Sequence, residues 1–276
     1  MASKLSKLID RHLNYYKRSE KKDFDKARRF YRGNFFTSSD SDIGGSSSHT
    51  YLCSKNIIYA IADTAVSALL GPNPSVGAIA RTPRSQDAAP VVTGLVDYVF
   101  DANKFRRKAA TTLIDAVLCK RGVFKTGWDA KKDVPIIRAI NPSSIFFDLT
   151  VRDSDDIRYW IEATVISYDE FKARVKSGQY KADLVKEVTP DRYPKWLLDE
   201  NQKASTDSVR DAFQWVTVYE YYDRERGIMQ HYIKQADAVV FEDKIDYIPY
   251  SMFSLNQSGI DCLGLSEVQL VLKQQE

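Results

Sequence analysis

The residues best placed for catalysis are Glu242, Asp243 and Lys244, which follow the apolar run Val239-Val240-Phe241 and have Asp237 upstream. Metal-dependent nucleases hold Mg2+ on an acid pair and use a nearby lysine to help activate water, and E-x-K at a strand end is one form of that arrangement. The same residues also suit a charged hairpin tip. No other constellation reaches a reaction. Neither G-x-x-x-x-G-K-[ST] nor G-x-G-x-x-G occurs, so no loop is built to cradle a phosphate. His12, His49 and His231 have no second His or Cys at ligand spacing, and no G-x-S-x-G elbow frames a serine. Cys53, Cys119 and Cys262 are far apart and odd in number, so they read as reduced, packed thiols rather than a disulfide framework or a metal site. The expectation is a chain that is not an enzyme, with no cofactor and no metal.

The remaining chemistry is charge. Residues 1–33 hold eleven Lys or Arg, at 4, 7, 11, 17, 18, 21, 22, 26, 28, 29 and 32, against Asp10, Glu20, Asp23 and Asp25. That segment is +7, which leaves −4 for the rest of a chain whose total is +3. Such an arm can meet nucleic-acid phosphates or an acidic protein surface, or it can be a solvated helix of mixed charge. Within it, Tyr15-Tyr16-Lys17-Arg18 and Arg29-Phe30-Tyr31-Arg32 interleave rings with cations. That pattern suits stacking on single-stranded nucleic acid and also an amphipathic helix that buries its rings in a subunit contact; the helical period of the rings favours the second. Lys17, Arg18, Arg28, Arg29 and Arg32, with Arg106 and Arg107 further along, are the candidate phosphate or partner contacts.

These residues need elements to hold them. Leu5, Leu8, Ile9, Leu13, Tyr16, Phe24, Ala27, Phe30 and Tyr31 recur at helical steps, which predicts a helix over 3–31 stopped by Gly33. Residues 37–49, rich in Ser, Asp and Gly, read as a flexible polar loop. A second helix over 54–70, apolar on nearly every side, should be buried on more than one face and end at Gly71-Pro72-Asn73-Pro74. Helices are expected over 87–102 and 104–120, the latter with a core stripe of Phe105, Ala109, Leu113, Ala116 and Val117 and with Gly122 as its stop.

The period then shortens. Val123–Trp128 and Pro135–Ile140 should pair as a hairpin around 129–133, followed by extended runs at 144–147 and 158–166. Ser167 with Glu170 matches a capping box opening a short helix that ends at Gly178. Residues 186–210 read as irregular. Trp215–Tyr222 and Ile228–Ile233 form a second hairpin, Ala238–Phe241 a further strand, and a last helix opens after Gly264 with Leu265, Val268, Leu270, Val271 and Leu272 as its apolar positions.

Helices first, then a mostly antiparallel meander with helical inserts, then a helix is an α+β arrangement and not an alternating α/β one. The expected divisions are a basic amphipathic helical arm at 1–36, a flexible loop at 37–53, a helical part at 54–122, a β-rich part at 123–255 and the start of a truncated helix at 256–276. The apolar run Ile57–Leu70 is shorter than the ~20 residues of a bilayer crossing, and the N-terminus lacks a secretory pattern, so synthesis in the cytoplasm is expected. The chain reaches Lys273-Gln274-Gln275-Glu276 without a glycine or proline stop, and is expected to be a portion of a longer protein.

Read in order, these pieces resemble the N-terminal half of tailed-bacteriophage portal proteins. The matching run begins with Phe30-Tyr31-Arg32-Gly33-Asn34 and continues through Lys55-Asn56-Ile57-Ile58 to Leu70-Gly71-Pro72-Asn73-Pro74. Asp115-Ala116-Val117, Lys120-Arg121-Gly122 and Val123–Asp129 follow, then Ile140-Asn141-Pro142 to Phe147-Asp148, Asp155–Tyr159 and Ser167–Phe171. Ile248-Pro249-Tyr250 and Gly264-Leu265-Ser266 to Gln275 are similar to the approach to the family's first stem helix. The weight is in the order and spacing over nearly the whole chain. One departure is Leu149 after Asp148, where many members carry proline.

The resemblance implies a homo-oligomeric ring, usually of twelve subunits, at one capsid vertex of the virion. Through it the terminase motor drives double-stranded DNA, head-to-tail adaptors attach to it, and major capsid or scaffold protein surrounds it. Residues up to about 255 would be mainly the outward wing, and the last helix the start of the stem. DNA contact would be independent of sequence, with no membrane involved.

Overall fold

The computed structural model describes residues 2–34, 56–71, 76–130, 132–186, 188–198, 213–259 and 262–275. The expected loop at 37–49, His49, Cys53, Pro72–Pro74, Lys131, most of the irregular 186–210 stretch after Leu198, and Glu276 lie outside these residues. In chain order the elements are α1 (Ala2–Tyr15), a π-helical turn (Tyr16–Glu20), α2 (Lys21–Tyr31), α3 (Ile57–Leu70), α4 (Ala88–Ala102) and α5 (Phe105–Cys119). Then come β1 (Gly122–Asp129), β2 (Val134–Ile140), β3 (Ile145–Phe147), β4 (Tyr159–Ser167), α6 (Tyr168–Lys176), β5 (Trp215–Asp223), β6 (Ile228–Ile233), β7 (Ala238–Lys244), β8 (Tyr250–Phe253) and α7 (Glu267–Gln275). The class is α+β, as the element order in the sequence predicts.

The chain divides into two compact units. The first takes Met1–Leu52, Asn141–Ile248 and Gln257–Leu263. Its frame is a five-stranded antiparallel sheet in the order β3-β4-β5-β6-β7, so strands adjacent in sequence are paired in space. Side chains alternate across it. Ile166, Val216, Val218 and Ile233 project to one side and pack with Phe171 of α6 and with Tyr180, Val185 and Val188 from the segment after it. Tyr159, Ile161, Tyr219, Tyr221 and Tyr232 belong to the opposite side, by the register Ile161↔Tyr221 and Tyr219↔Tyr232.

The N-terminal arm covers that second face. His12 Nε2 meets the Tyr159 hydroxyl at 2.8 Å and stacks on Phe146, while Tyr16 packs edge-on to Phe146 and Trp196. Lys21 donates to the Leu198 carbonyl at 2.9 Å. The buried series Leu5, Ile9, Leu13, Tyr16, Glu20, Phe24, Ala27 and Phe30 runs unbroken through the π turn, one stripe of a long helical segment. The segment stops where expected. Gly33 adopts φ +80°, its N–H donates to Phe30 O, and Asn34 N–H reaches back to Arg29 O, which together make a Schellman closure.

Two local features shape the rest of this unit. Ser167 Oγ accepts the Glu170 amide at 3.1 Å, but the Glu170 carboxylate pairs with Arg174 instead of returning to the cap, so half of the expected capping box forms. Asp148 is buried beside Arg158 Nε at 2.6 Å and Thr150 at 2.6 Å and 3.0 Å. Burial pushes its carboxyl up, and the hydrogen bonds from Arg158 and Thr150 outweigh that and hold it below the usual carboxylate range.

The second unit takes Cys53–Ile140, Pro249–Asn256 and Gly264–Glu276. β1 and β2 form the expected hairpin, and β8 pairs with the other side of β1, a strand for which the sequence carries only a turn signal near Pro249. α5 supplies the core through Ala109, Thr112, Leu113, Ala116 and Val117. Ser266, buried, donates to the Val117 and Leu118 carbonyls at 3.0 Å each, tying the approach to α7 onto the end of α5. Gly122 is not the stop of α5: Lys120 takes the left-handed turn at φ +67°. Glycine is required at 122 because a Cβ there would lie 2.5 Å from the Thr112 carbonyl and 2.7 Å from the Phe253 ring.

β2 is an edge of its sheet, and Asn103 completes it. Its Oδ1 accepts Ile137 N–H at 2.9 Å, and its Nδ2 donates to the Pro135 and Val99 carbonyls at 2.9 Å. One buried amide thus pairs a strand edge and anchors the end of α4. Asn103→Ala leaves those groups unpaired and should cost about 1–3 kcal/mol of stability, read as a lower denaturant midpoint; an unchanged midpoint would contradict the role.

Burial lowers the pKa of His12, against the raising effects of Asp148 and Glu20. The unfolded chain, at about 6.5, therefore takes up the proton before the folded chain does. The stability contributed is full above about pH 6.5 and is lost as pH falls from there toward the folded value. The thermal midpoint should fall between pH 7 and pH 5, with a shallower slope in His12→Gln; identical slopes would remove His12 as the cause.

Candidate functional site

The arm sorts its charges by side. Lys4, Lys7, Arg11, Arg18 and Lys22 are exposed at steps of three, four or seven along the face turned away from the sheet, with Tyr15 among them. None of the five forms an ion pair among the described residues. The acids of the arm are occupied differently: Asp10 pairs with Lys234, Asp25 with Lys21 at 2.9 Å, and Glu20 and Asp25 are buried. A helix with mixed composition thereby presents an almost purely basic ridge.

The candidate cations read from the sequence fall into different settings. Lys17, Arg18 and Arg32 are exposed. Arg28 donates to Ser143 Oγ at 3.2 Å and Asn141 Oδ1 at 3.0 Å, and the half-buried Arg29 lays its guanidinium 5.2 Å from the Phe30 ring centroid. Arg28 thereby holds the arm down, whereas the contact of Arg29 is within the arm itself. Arg106 and Arg107 belong to the other unit and are exposed on the first turn of α5.

The second unit has a different surface. α3 is apolar on nearly every side, but only Ile58, Ala62 and Leu70 are buried, in contrast to the burial on several faces that its composition predicts. α4 goes further: none of its residues is buried, and Val91, Leu95 and Tyr98 are 70%, 59% and 58% exposed. Between α3, the end of α4 and the start of α5 lies a cavity of about 940 Å³. Val66, Leu70, Phe100, Phe105 and Ala110 make it apolar, and Lys104, Arg106 and Arg107 stand around it with Asp97 and Asp101.

The acid cluster considered for metal chemistry does not converge. On β7, Glu242 lies opposite Gln230 and accepts its amide, whereas Asp243 lies opposite Met229, so pleat alternation sends the two carboxylates to opposite faces. Asp237 accepts the Tyr232 hydroxyl at 2.6 Å. Among the described residues no group of three or more His, Cys, Asp or Glu has the geometry to hold a metal ion. His231 is buried against Tyr180 and Phe241. Sequence reasoning missed Asn103 and the sorting of charge on the arm. The second was open to discovery, since Lys4, Lys7, Arg11, Arg18 and Lys22 share one helical face.

Among the described residues no helix is long and apolar enough to cross a membrane. No curated protein matches the chain. The model of a protein family described as phage P22-like portal proteins matches residues 8–253, a stretch that begins within α1 and ends at the last residue of β8. With that match the resemblance carried by the order of the motifs holds, and the chain belongs to the phage P22-like portal protein family, a family of structural head-to-tail connectors and not of enzymes.

Proposed function

We propose that this chain is a subunit of the portal ring at one vertex of a phage capsid, twelve copies being usual in the family. There it serves as the conduit for double-stranded DNA during packaging and ejection, and as the attachment point for the terminase large subunit and the head-to-tail adaptor, with major capsid or scaffold protein around it. The protein is made in the host cytoplasm and ends in the virion. On this reading residues 1–36 are a basic arm and 37–53 a loop, 54–122 and 123–255 are the helical and β-rich parts of the wing, and 256–276 begin the stem. The role is mechanical and needs no catalysis.

The observation that carries the reading is α4. A fifteen-residue helix of apolar composition with no buried residue is out of place on an isolated chain and suits one surrounded by copies of itself. The intact protein should therefore sediment as a single large species and appear as rings in electron micrographs. Monomers alone at tens of micromolar would overturn it.

The exposed cations are the proposed phosphate or partner contacts. Lys17, Arg18 and Arg32, with Lys4, Lys7, Arg11 and Lys22 on the same arm, could meet phosphates without reading bases, and Arg106 and Arg107 could meet phosphate or protein. A second reading, a nucleic-acid-binding module acting through the arm outside any portal, is favoured by the basic ridge alone. Duplex binding measured against salt examines the ridge directly. Removing one cation that neutralises a phosphate should reduce the slope of log K against log salt by about 0.9, so Lys7→Ala, Arg11→Ala and Arg18→Ala combined should flatten it by nearly three times that. An unchanged slope would assign the ridge to an acidic protein surface instead.

A further inference from the structure

We propose that the start of α5 carries a binding site for a phosphate group, held between Lys104, Arg107 and Lys108 and distinct from the larger cavity that Arg106 lines. The inference deepens the reading of Arg107 as a phosphate or partner contact and rests on that reading, not on ring formation. Lys104, Arg107, Lys108 and Thr111 fall at i, i+3, i+4 and i+7 along one side of the helix, and Arg106 lies on another. The four line a second, smaller cavity of about 350 Å³, together with Asn103 and two alanines. Among the described residues no carboxylate lines it; Asp97 and Asp101 belong to the wall of the larger cavity, with Arg106.

The charges are arranged against the preferences of an isolated helix. The first turn is the positive end of the helix dipole and favours acids. α5 has no acid there and no side-chain cap, and Lys104, Arg106, Arg107 and Lys108 stand in their place. Lys104, Arg106 and Arg107 are exposed and make no side-chain hydrogen bond or ion pair among the described residues. A helix start alone makes no site; here a cavity lies beside it and one cation of the wall is fixed in advance. Lys108 Nζ donates to the Ile137 carbonyl at 2.5 Å and to Asn103 Oδ1 at 3.3 Å, and Asn103 is itself buried and bonded to the same strand edge. An ammonium held in this way loses little freedom when a ligand arrives. Burial, and then the charge of Arg138, lower the Lys108 pKa from the usual lysine value. The charge acting on it is thus a further cation, and an anion in the cavity would offset both.

The donors select the ligand. Arg107 offers a planar fork of N–H groups, and Lys104 and Lys108 offer point charges. Three such cations around one cavity suit a tetrahedral anion whose oxygens point in several directions, and a single carboxylate from an acidic protein would leave part of that charge unmet. Asn103, the one amide in the wall, is engaged by Ile137, Pro135 and Val99, so no group is left to read a base and recognition stops at the phosphate. A phosphodiester of duplex DNA and a free phosphate present the same oxygens to this site, and experiment separates them.

The test compares three variants of the intact protein that remove the same charge, Lys104→Ala, Arg106→Ala and Arg107→Ala, with inorganic phosphate and a DNA duplex as probes. Lys108 is left in place because it supports the edge of β2. All three side chains are exposed, so the variants should keep the wild-type thermal midpoint. Lys104→Ala and Arg107→Ala should each weaken phosphate binding about tenfold or more, as expected for the loss of a charged hydrogen bond, and Arg106→Ala should stay within about twofold of the wild type. If the phosphate is that of DNA, Arg107→Ala also reduces the slope of log K against log salt for the duplex by about 0.9, and Arg106→Ala does not. An unchanged duplex slope beside weakened phosphate binding assigns the site to free phosphate. Equal effects of the three substitutions, or no effect on either probe, overturn the site, as a diffuse field or an acidic protein partner would give those results. The portal reading then stands, because rings in electron micrographs test it independently of phosphate.

Discussion

A β-sheet has two faces, and a chain that builds one must cover both or leave apolar side chains in water. In the sheet unit this requirement organises everything else. The five strands β3 to β7 pair in the order in which they occur along the chain, so no strand is passed over by another. α6 and the segment through Val188 cover one face. The other is covered by a helical arm more than a hundred residues earlier in the chain, through His12 to Tyr159 and Tyr16 to Phe146. The phenols beneath it answer to that burial: Tyr159, Tyr219 and Tyr232 are each pushed up to about 12, chiefly by desolvation. A covered tyrosine face has little room for charge, and the cations of the arm are accordingly on its outer side.

That geometry accounts for the basic ridge without any special device. An amphipathic helix with its rings on the sheet must turn its remaining face outward, and the residues on that face are Lys4, Lys7, Arg11, Arg18 and Lys22. The acids Glu20 and Asp25 lie on the buried side, Asp25 within reach of Lys21. A modest net charge thus becomes a strong local field, which attracts phosphate or an acidic surface over about a Debye length.

The helical unit obeys the same requirement, and its described residues meet it only in part. β1 and the buried stripe of α5 make a core, and Asn103 closes an edge of β2. Among the described residues α3 is then only partly covered, and α4 has no fully buried residue, though Phe100 stacks on Phe105. The apolar composition of α4 is thus not matched by cover from the described residues.

Local pattern was enough for much of this. The period of the arm, the Gly33 stop, the β1–β2 and β5–β6 hairpins, the Ser167 cap and the α+β order all follow from short-range rules, and the ordered motifs carried the family. Each depends on residues within a turn or a hairpin of one another, which a sequence displays directly. What only the tertiary structure decided depends on distant neighbours. β8 exists because β1 offers a free side, a pairing between residues more than a hundred positions apart. Gly122 is glycine because of Thr112 and Phe253, and not because α5 ends there. Arg28 and Arg106 are both arginines in basic runs, yet one is fixed to Asn141 and Ser143 and the other is exposed. Glu242 and Asp243 are adjacent in sequence and opposed in space, because a pleated strand separates consecutive side chains. The apolar composition of α3 and α4 specified that they require cover; only the fold revealed how little of it the described residues supply.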